Sequence, residues 1–223
     1  MNFLAHALVA ARTGSGSTER VVGAVLPDLA GMAHIRPVGD RLGGELSEGV
    51  RCHHEADRAF HADRTFTTGA RRLRLAALDA GLPPGASRAV GHLGWELLLD
   101  GELLHRSDAA AVFGTALASA PSATAAFAPG DRGRWLQLVE HLDRSRWWCR
   151  YHDPEVVAEA LRRRTASRPR LAFGPTEVPA VARMLAEAQG SVAAASGLVV
   201  DRVVAGLRDR AGQGTPVGVA PTG

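Results

Sequence analysis

The sequence predicts an all-α protein, and three observations support that fold class. Alternating runs of Val, Ile, Thr and Tyr, which are typical of strands, are nearly absent. Ala, Leu, Arg and Glu instead recur at spacings of three and four residues, which is the period of a helix. The apolar content of 46% and charged content of 22% are typical of a globular domain. We therefore expect a single compact domain of about eight to ten helices over residues 1–210.

Apolar periodicity and capping signals place the individual helices. They are predicted over about residues 2–12, 18–26, 47–66, 68–80, 87–105, 107–118 and 135–149, from 154 onward, and once or twice within 176–210. Asp153 is expected to cap the helix that begins at Pro154. The segments 31–44 and 121–131 are rich in turn residues and are expected to be loops. Residues 211–223 have no periodicity and are expected to form a flexible C-terminal tail.

Charge and cysteine usage exclude several classes of protein. All 26 basic residues are arginine and the net charge is only +3, so the composition does not indicate a nucleic-acid partner. Cys52 and Cys149 lack a CxxC spacing, which predicts neither a zinc ribbon nor a disulfide framework and fits a reducing cytoplasm. The apolar start has no basic residue before Arg12 and contains His6, unlike a signal peptide. Charged residues interrupt every apolar run before the ~18–20 residues that would span a bilayer, so we expect a cytoplasmic protein outside the membrane.

The most informative segment lies in the predicted helix 47–66. His53, Asp57 and His61 follow one another at i, i+4 and i+8 and therefore share one helix face. Two imidazoles and a carboxylate suit a divalent ion such as Mn, Fe or Zn. The alternative is a solvated face whose side chains pair with nearby arginines. His54 points about 100° away from His53 and is not expected to share its ligand.

A second candidate group lies in the most apolar part of the chain. His92 and Glu96 form another i, i+4 pair, and Asp100 follows one turn later. A carboxylate in such surroundings is costly unless it is paired or metal-bound. The alternative is a structural hydrogen-bonding stripe, and for Asp100 we favour that alternative.

Two single residues complete the candidate set. His6 lies in an otherwise apolar helix, and Asp28 is the only acid of its stretch and follows Pro27. A lone histidine among apolar residues is more often a satisfied core residue than a ligand. Both residues become stronger candidates because a metal bound only by ligands from the two other helices would have an incomplete coordination shell. Nucleophile motifs, glycine-rich phosphate loops and GxGxxG are absent from the sequence.

Several short segments, taken together, resemble one known family. They are MNFLAH at 1–6, GAVLPDL at 23–29, the G-x-x-x-H-x-x-x-D pattern of 49–57, the His-x-x-Trp-Glu of 92–96, RSRWWCRYHD at 144–153 and ASRPRL at 166–171. The family is that of the bacterial acyl-carrier-protein phosphodiesterases, and the resemblance extends to about residue 175. It implies an all-helical fold distantly similar to the HD-type metal phosphohydrolases. The implied activity is manganese-dependent hydrolysis of the phosphodiester that joins 4'-phosphopantetheine to a serine of holo acyl carrier protein.

The resemblance also assigns residues. It matches the family's histidines and acids to His6, Asp28, His53, Asp57 and Glu96. This chain departs from the family pattern at three positions, where His54 replaces an arginine and His61 and His92 replace acids. Manganese is the ion that the resemblance implies. Because imidazole replaces oxygen ligands at two positions, the chain's own residues favour Fe or Zn over Mg and weaken the case for manganese.

Together these arguments predict one divalent-metal site and its surroundings. Its expected metal ligands are His6, Asp28, His53, Asp57, His61, His92 and Glu96, with His61 as an extra or second-metal ligand. The expected catalytic carboxyl residues are Asp28, Asp57 and Glu96. The candidate phosphate-binding residues are Arg51, Arg58, Arg168 and Arg170. Two alternatives stay open. One is a metal enzyme acting on a small phosphoester or on oxygen at a di-iron site, and the other is a non-catalytic module that binds the carrier protein.

Overall fold

The computed structural model describes residues 1–212, and within them the chain forms nine α-helices and no β-strand. The helices are α1 (Phe3–Thr13), α2 (Thr18–Met32), α3 (Gly44–Ala62), α4 (Arg64–Asp79), α5 (Pro84–Arg106), α6 (Ala109–Ser119), α7 (Arg132–Ser145), α8 (Pro154–Thr165) and α9 (Val178–Gly212). Short 3₁₀ turns cover 39–41, 120–126, 129–131, 147–150 and 175–177. The helices form one compact domain, so the predicted all-α class is confirmed.

The N-terminal signal of α8 is confirmed at atomic level. Asp153 has extended backbone, and its side chain accepts a hydrogen bond from the backbone N–H of Glu155 at 2.9 Å. Pro154 is the first helical residue, where its missing N–H costs nothing. The predicted loop 121–131 contains two short 3₁₀ turns.

Several helix ends differ from their predicted positions. The helix predicted over 47–66 ends at Ala62, the next begins at Arg64 and not at 68, and the helix predicted over 135–149 spans Arg132–Ser145. α2 was expected to end near Leu26, but it continues through Pro27 to Met32. Pro27 removes only the hydrogen bond to the carbonyl of Gly23, and the buried Leu29 and Ala30 keep the following turn packed. At the other end of the chain, α9 includes Ala211 and Gly212, which had been expected to begin the tail, while the rest of that segment, 213–223, lies outside the described residues.

α1 forms the centre of the domain. Every residue from Phe3 to Ala10 is buried, and the helix packs against α2, α6, α9, α3 and α5. The ring of Phe3 stacks on Phe113 of α6 with centroids 4.8 Å apart. A helix that is apolar all round is expected at such a position. The one ionisable side chain in its buried stretch, His6, is thereby enclosed by other helices.

A close crossing of α2 and α3 brings candidate ligands from both helices together. Gly23 of α2 lies against the backbone of Leu46 and Gly49, and Gly49 of α3 lies against the backbone of Arg20 and Ala24. A β-carbon at either glycine would collide with backbone atoms of the other helix. This approach places His53 of α3 within hydrogen-bonding distance of the α2 backbone.

Two helical stretches are long and apolar enough for a membrane span by length and composition, 109–126 and 175–211. No charged residue interrupts the first, so the expectation that charges interrupt every such run is wrong for that stretch. Respectively 39% and 44% of their most apolar windows is buried inside the protein. Core helices of soluble proteins meet the same criterion, so the expected location outside the membrane stays a prediction. Cys52 is buried and Cys149 is half-buried, and both are free.

Candidate metal centre

The side chains predicted to bind a metal converge where α1, α2, α3 and α5 meet, and they form two groups. The inner group consists of His6, Asp28 and His53. The outer group consists of His61, His92 and Glu96. In each group, one ligand atom from every residue lies within 4.8 Å of the others. Asp57 lies between the two groups.

The inner group is enclosed and contains polar atoms without partners. Both ring nitrogens of His6 and the Oδ2 atom of Asp28 are buried, and none has a hydrogen-bond partner among residues 1–212. The imidazoles of His6 and His53 stack with centroids 3.8 Å apart. Unpaired buried polar atoms cost free energy, and coordination of a shared cation would satisfy Asp28 Oδ2 and one ring nitrogen of His6.

The orientation of His53 suits a metal ligand. Its Nδ1 lies 2.9 Å from the backbone carbonyl oxygen of Ala24, so Nδ1 carries the proton and donates it there. The Nε2 lone pair is then free for a cation, which is the usual arrangement of metal-binding histidines. Burial lowers the pKa of His53 to about 4 and lowers the pKa of His6 well below its ordinary value, so both rings are neutral. Burial also raises the pKa of Asp28 to about 7.

The outer group opens to solvent. Glu96 Oε1 lies 3.0 Å from His61 Nε2 and 3.2 Å from His92 Nε2. Ligand atoms that share an ion with bonds of ~2.0–2.2 Å are separated by similar distances of roughly 3.0–3.4 Å. The side chains of His61 and His92 are 32% and 44% exposed, whereas Glu96 is 8% exposed. A ligand could therefore approach this group from the imidazole side.

Asp57 connects the two groups through its two oxygens. Oδ1 lies 3.8 Å from His6 Nε2, and Oδ2 lies 3.1 Å from His61 Nδ1. Hydrogen bonds to Asp57 and Glu96 raise the pKa of His61 to about 9. Although burial opposes ionisation of Asp57, the hydrogen bond from His61 and the nearby Met1 ammonium lower its pKa below the ordinary value.

A positive charge already lies between these carboxylates. The Met1 ammonium is 2.8 Å from Asp57 Oδ1 and 3.3 Å from Glu96 Oε1. The side chain of Met1 is fully buried. Burial opposes the ionisation of Glu96, but this ammonium and the imidazoles of His61 and His92 lower its pKa. The ammonium and the two imidazoles therefore keep Glu96 ionised.

The start of α1 is held by a buried carboxylate on α5. Asp100 accepts hydrogen bonds from the backbone N–H groups of Leu4 at 3.2 Å and Ala5 at 3.0 Å, and from the side-chain amide of Asn2 at 2.8 Å. Arg164 of α8 donates to the Asn2 side-chain oxygen at 3.2 Å. Asp100 therefore caps the start of α1. This agrees with the structural hydrogen-bonding role that the sequence favoured for it.

The predicted phosphate-binding arginines are less closely grouped. Arg51 forms ion pairs with Glu48 and Glu55 and lines a separate cavity of about 170 Å³ with Arg20, so it is not placed with the metal ligands. The reason is its position two residues before His53, which turns it about 200° around α3. Arg58, Arg168 and Arg170 are exposed and have no ion pair within the described part of the chain.

Two groups near the site had no individual prediction. The Met1 ammonium carries no sequence signal beyond its place in MNFLAH. Arg164 lies close enough to Asp28 to lower the pKa of that carboxyl against the effect of burial. The only signal for Arg164 is its place in the last turn of α8.

Comparison with known proteins gives no match. No protein-family model, no curated protein and no solved structure matches the chain significantly.

Proposed function

We propose that the protein is a metal-dependent phosphodiester hydrolase that removes 4'-phosphopantetheine from a serine of holo acyl carrier protein. One observation carries the metal-dependent part of this proposal. The buried ring nitrogens of His6 and the Oδ2 atom of Asp28 have no hydrogen-bond partner among residues 1–212, and they face a histidine whose proton is already donated elsewhere. The choice of substrate, the HD-like arrangement and the cytoplasmic location rest on the sequence patterns described above.

The donor set fits a divalent ion. His6, His53, Asp28 and Asp57 would hold it with nitrogen and oxygen atoms, a combination that suits Mn, Fe and Zn. When bound, such an ion makes a coordinated water more acidic and stabilises negative charge on a phosphoryl group. Manganese is the ion that the family resemblance favours.

The remaining steps are assigned to residues of the chain. Glu96 Oε1 accepts the proton of the attacking water, whose oxygen forms the new bond to phosphorus. His61 Nε2 and His92 Nε2 contact this same carboxylate oxygen. They can pass a proton to the serine oxygen as its bond to phosphorus breaks. The products are phosphopantetheine and the free serine hydroxyl.

Arg164 is the arginine best supported for contact with the phosphate. Its guanidinium influences Asp28 and is anchored on Asn2. A guanidinium offers paired donors that match phosphate oxygens.

The test is metal analysis followed by turnover. Purified protein is expected to contain a divalent ion and, with Mn, Fe or Zn supplied, to release phosphopantetheine from holo carrier protein. His53→Ala with Asp57→Ala should remove both properties, whereas His141→Ala with Asp143→Ala on α7 should change neither. Unchanged metal content in a folded His53/Asp57 variant would place the ion elsewhere, and no release with any of the ions would reject the carrier-protein substrate.

A second candidate function is oxygen chemistry at iron. Two imidazoles and one carboxylate in the outer group form the ligand set of non-haem Fe(II) oxygenases, and the imidazoles are accessible. Iron as the bound metal, together with oxygen consumption and no phosphodiester hydrolysis, would favour this function. Metal-free protein that binds carrier protein would favour the non-catalytic module.

A further inference from the structure

Five arginines line one exposed surface formed by α4 and the first half of α5. We call this surface the basic strip, and its members are Arg64, Arg71, Arg72, Arg74 and Arg88, all of which are exposed. None of the five forms an ion pair with an acid of residues 1–212. No Asp or Glu occurs in 64–78 or in 84–95.

Some exposed arginines elsewhere pair with acids three or four residues away on the same helix, as Arg144 does with Glu140 and Arg163 with Glu159. None of the four strip arginines on α4 has such an acid on its helix. Neighbouring like charges on one helix face repel one another and reduce its stability. The concentration of unpaired charge on α4 therefore has no explanation in the stability of the fold.

The basic strip also has an apolar element. Leu75 lies one turn after Arg71 and is 46% exposed. Within residues 1–212 it is one of three large hydrophobic side chains with such exposure. An exposed apolar side chain surrounded by arginines suits a partner with both acidic and apolar side chains.

The strip adjoins the open side of the outer group. Arg88 precedes His92 by one helical turn on α5. On α4, Arg74 packs against Gly91, the residue before His92. A partner bound to the strip would therefore reach the exposed imidazoles.

We propose that the basic strip is the docking surface for the acidic protein that presents the phosphodiester, an inference that rests on the proposed function. Complementary charge increases association rate and fixes orientation. A nucleic acid is less suitable, because the only aromatic residue of α4 is the buried Phe66, which leaves no ring on that helix for bases to stack on. Arg170, a candidate phosphate-binding residue, packs its backbone against Gly85 and so lies roughly 10 Å along α5 from His92.

The test measures binding and turnover separately. Binding of fluorescently labelled apo acyl carrier protein is measured by anisotropy at low and high salt for the wild type, Arg71→Glu with Arg74→Glu, and Arg71→Gln with Arg74→Gln. Arg134→Glu with Arg144→Glu on α7 makes the same charge change and serves as the matched control. Circular dichroism and hydrolysis of bis(p-nitrophenyl) phosphate check the fold and the chemistry of each variant.

We expect the Glu pair to weaken carrier binding by roughly tenfold or more at low salt and the Gln pair by less, with little effect of the control pair. Hydrolysis of the small diester should be unchanged in all three variants. Equal weakening by the control pair, no weakening by either strip variant, absence of wild-type binding, or tighter binding of a DNA or RNA oligonucleotide to the strip would overturn the docking proposal. Carrier binding through the strip without phosphopantetheine release would instead reject the proposed function and leave the docking surface intact.

Discussion

The side-chain amide of Asn2 donates a hydrogen bond to the carboxylate of Asp100 at 2.8 Å, although 98 residues separate them. The same carboxylate receives the first free N–H groups of α1, which the side chain of Asn2 does not cap. This contact fixes the end of the helix that carries His6. The position of an inner-group ligand on α1 therefore depends on a residue of α5.

Asp100→Asn is expected to weaken metal binding without touching a ligand. An amide has one acceptor oxygen and would place N–H donors against those of Asn2 and α1. We expect metal affinity to fall by about tenfold and the metal-bound spectrum, for example of Co²⁺, to change. Asp100→Glu should restore part of the affinity. A folded Asn variant with unchanged affinity and spectrum would show that Asp100 only stabilises α1.

Asp100 should also influence stability as a function of pH. Burial raises its pKa to about 7, so between about pH 4 and 7 the folded protein holds a proton that the unfolded chain has released. The contribution of this group to the free energy of unfolding therefore decreases as pH rises through that range. Urea unfolding at several pH values should show the stability deficit of Asp100→Asn becoming smaller from pH 4 to 7. A deficit that grows over this range would contradict the raised pKa.

Gly49→Ala is expected to separate α2 from α3. Its β-carbon would meet the backbone carbonyl of Arg20, which cannot move as a flexible side chain can. Overpacking of this kind costs about 1–3 kcal/mol, and the separation should also weaken the hydrogen bond from His53 to Ala24. Thermal unfolding and metal titration would measure the two effects. Gly114→Ala on α6, where a β-carbon meets no neighbouring atom, is the control and should change neither.

Asp63→Ala is expected to destabilise the protein while leaving metal affinity unchanged. Asp63 caps α4 by accepting from the N–H groups of Thr65 and Phe66, and it also pairs with Arg202 of α9. Loss of the cap and the ion pair together should cost about 1–3 kcal/mol. Chemical denaturation measures this loss. Arg202→Ala should reproduce only a smaller part of it, since the cap remains.

The sequence alone determined the all-α fold class, the start of α8 and the set of His, Asp and Glu residues that come together in the inner and outer groups. Each depends on local chemistry, such as a 3.6-residue period, a capping aspartate before proline, or His53 and Asp57 one turn apart. The tertiary structure decided where α2 ends, because burial of Leu29 and Ala30 outweighs one hydrogen bond lost at Pro27. It also decided how the candidate ligands divide into an inner and an outer group, since contacts such as Gly23 with Gly49 join helices distant in sequence. Local patterns carry no information about which helix faces meet, and packing of the whole chain determines that.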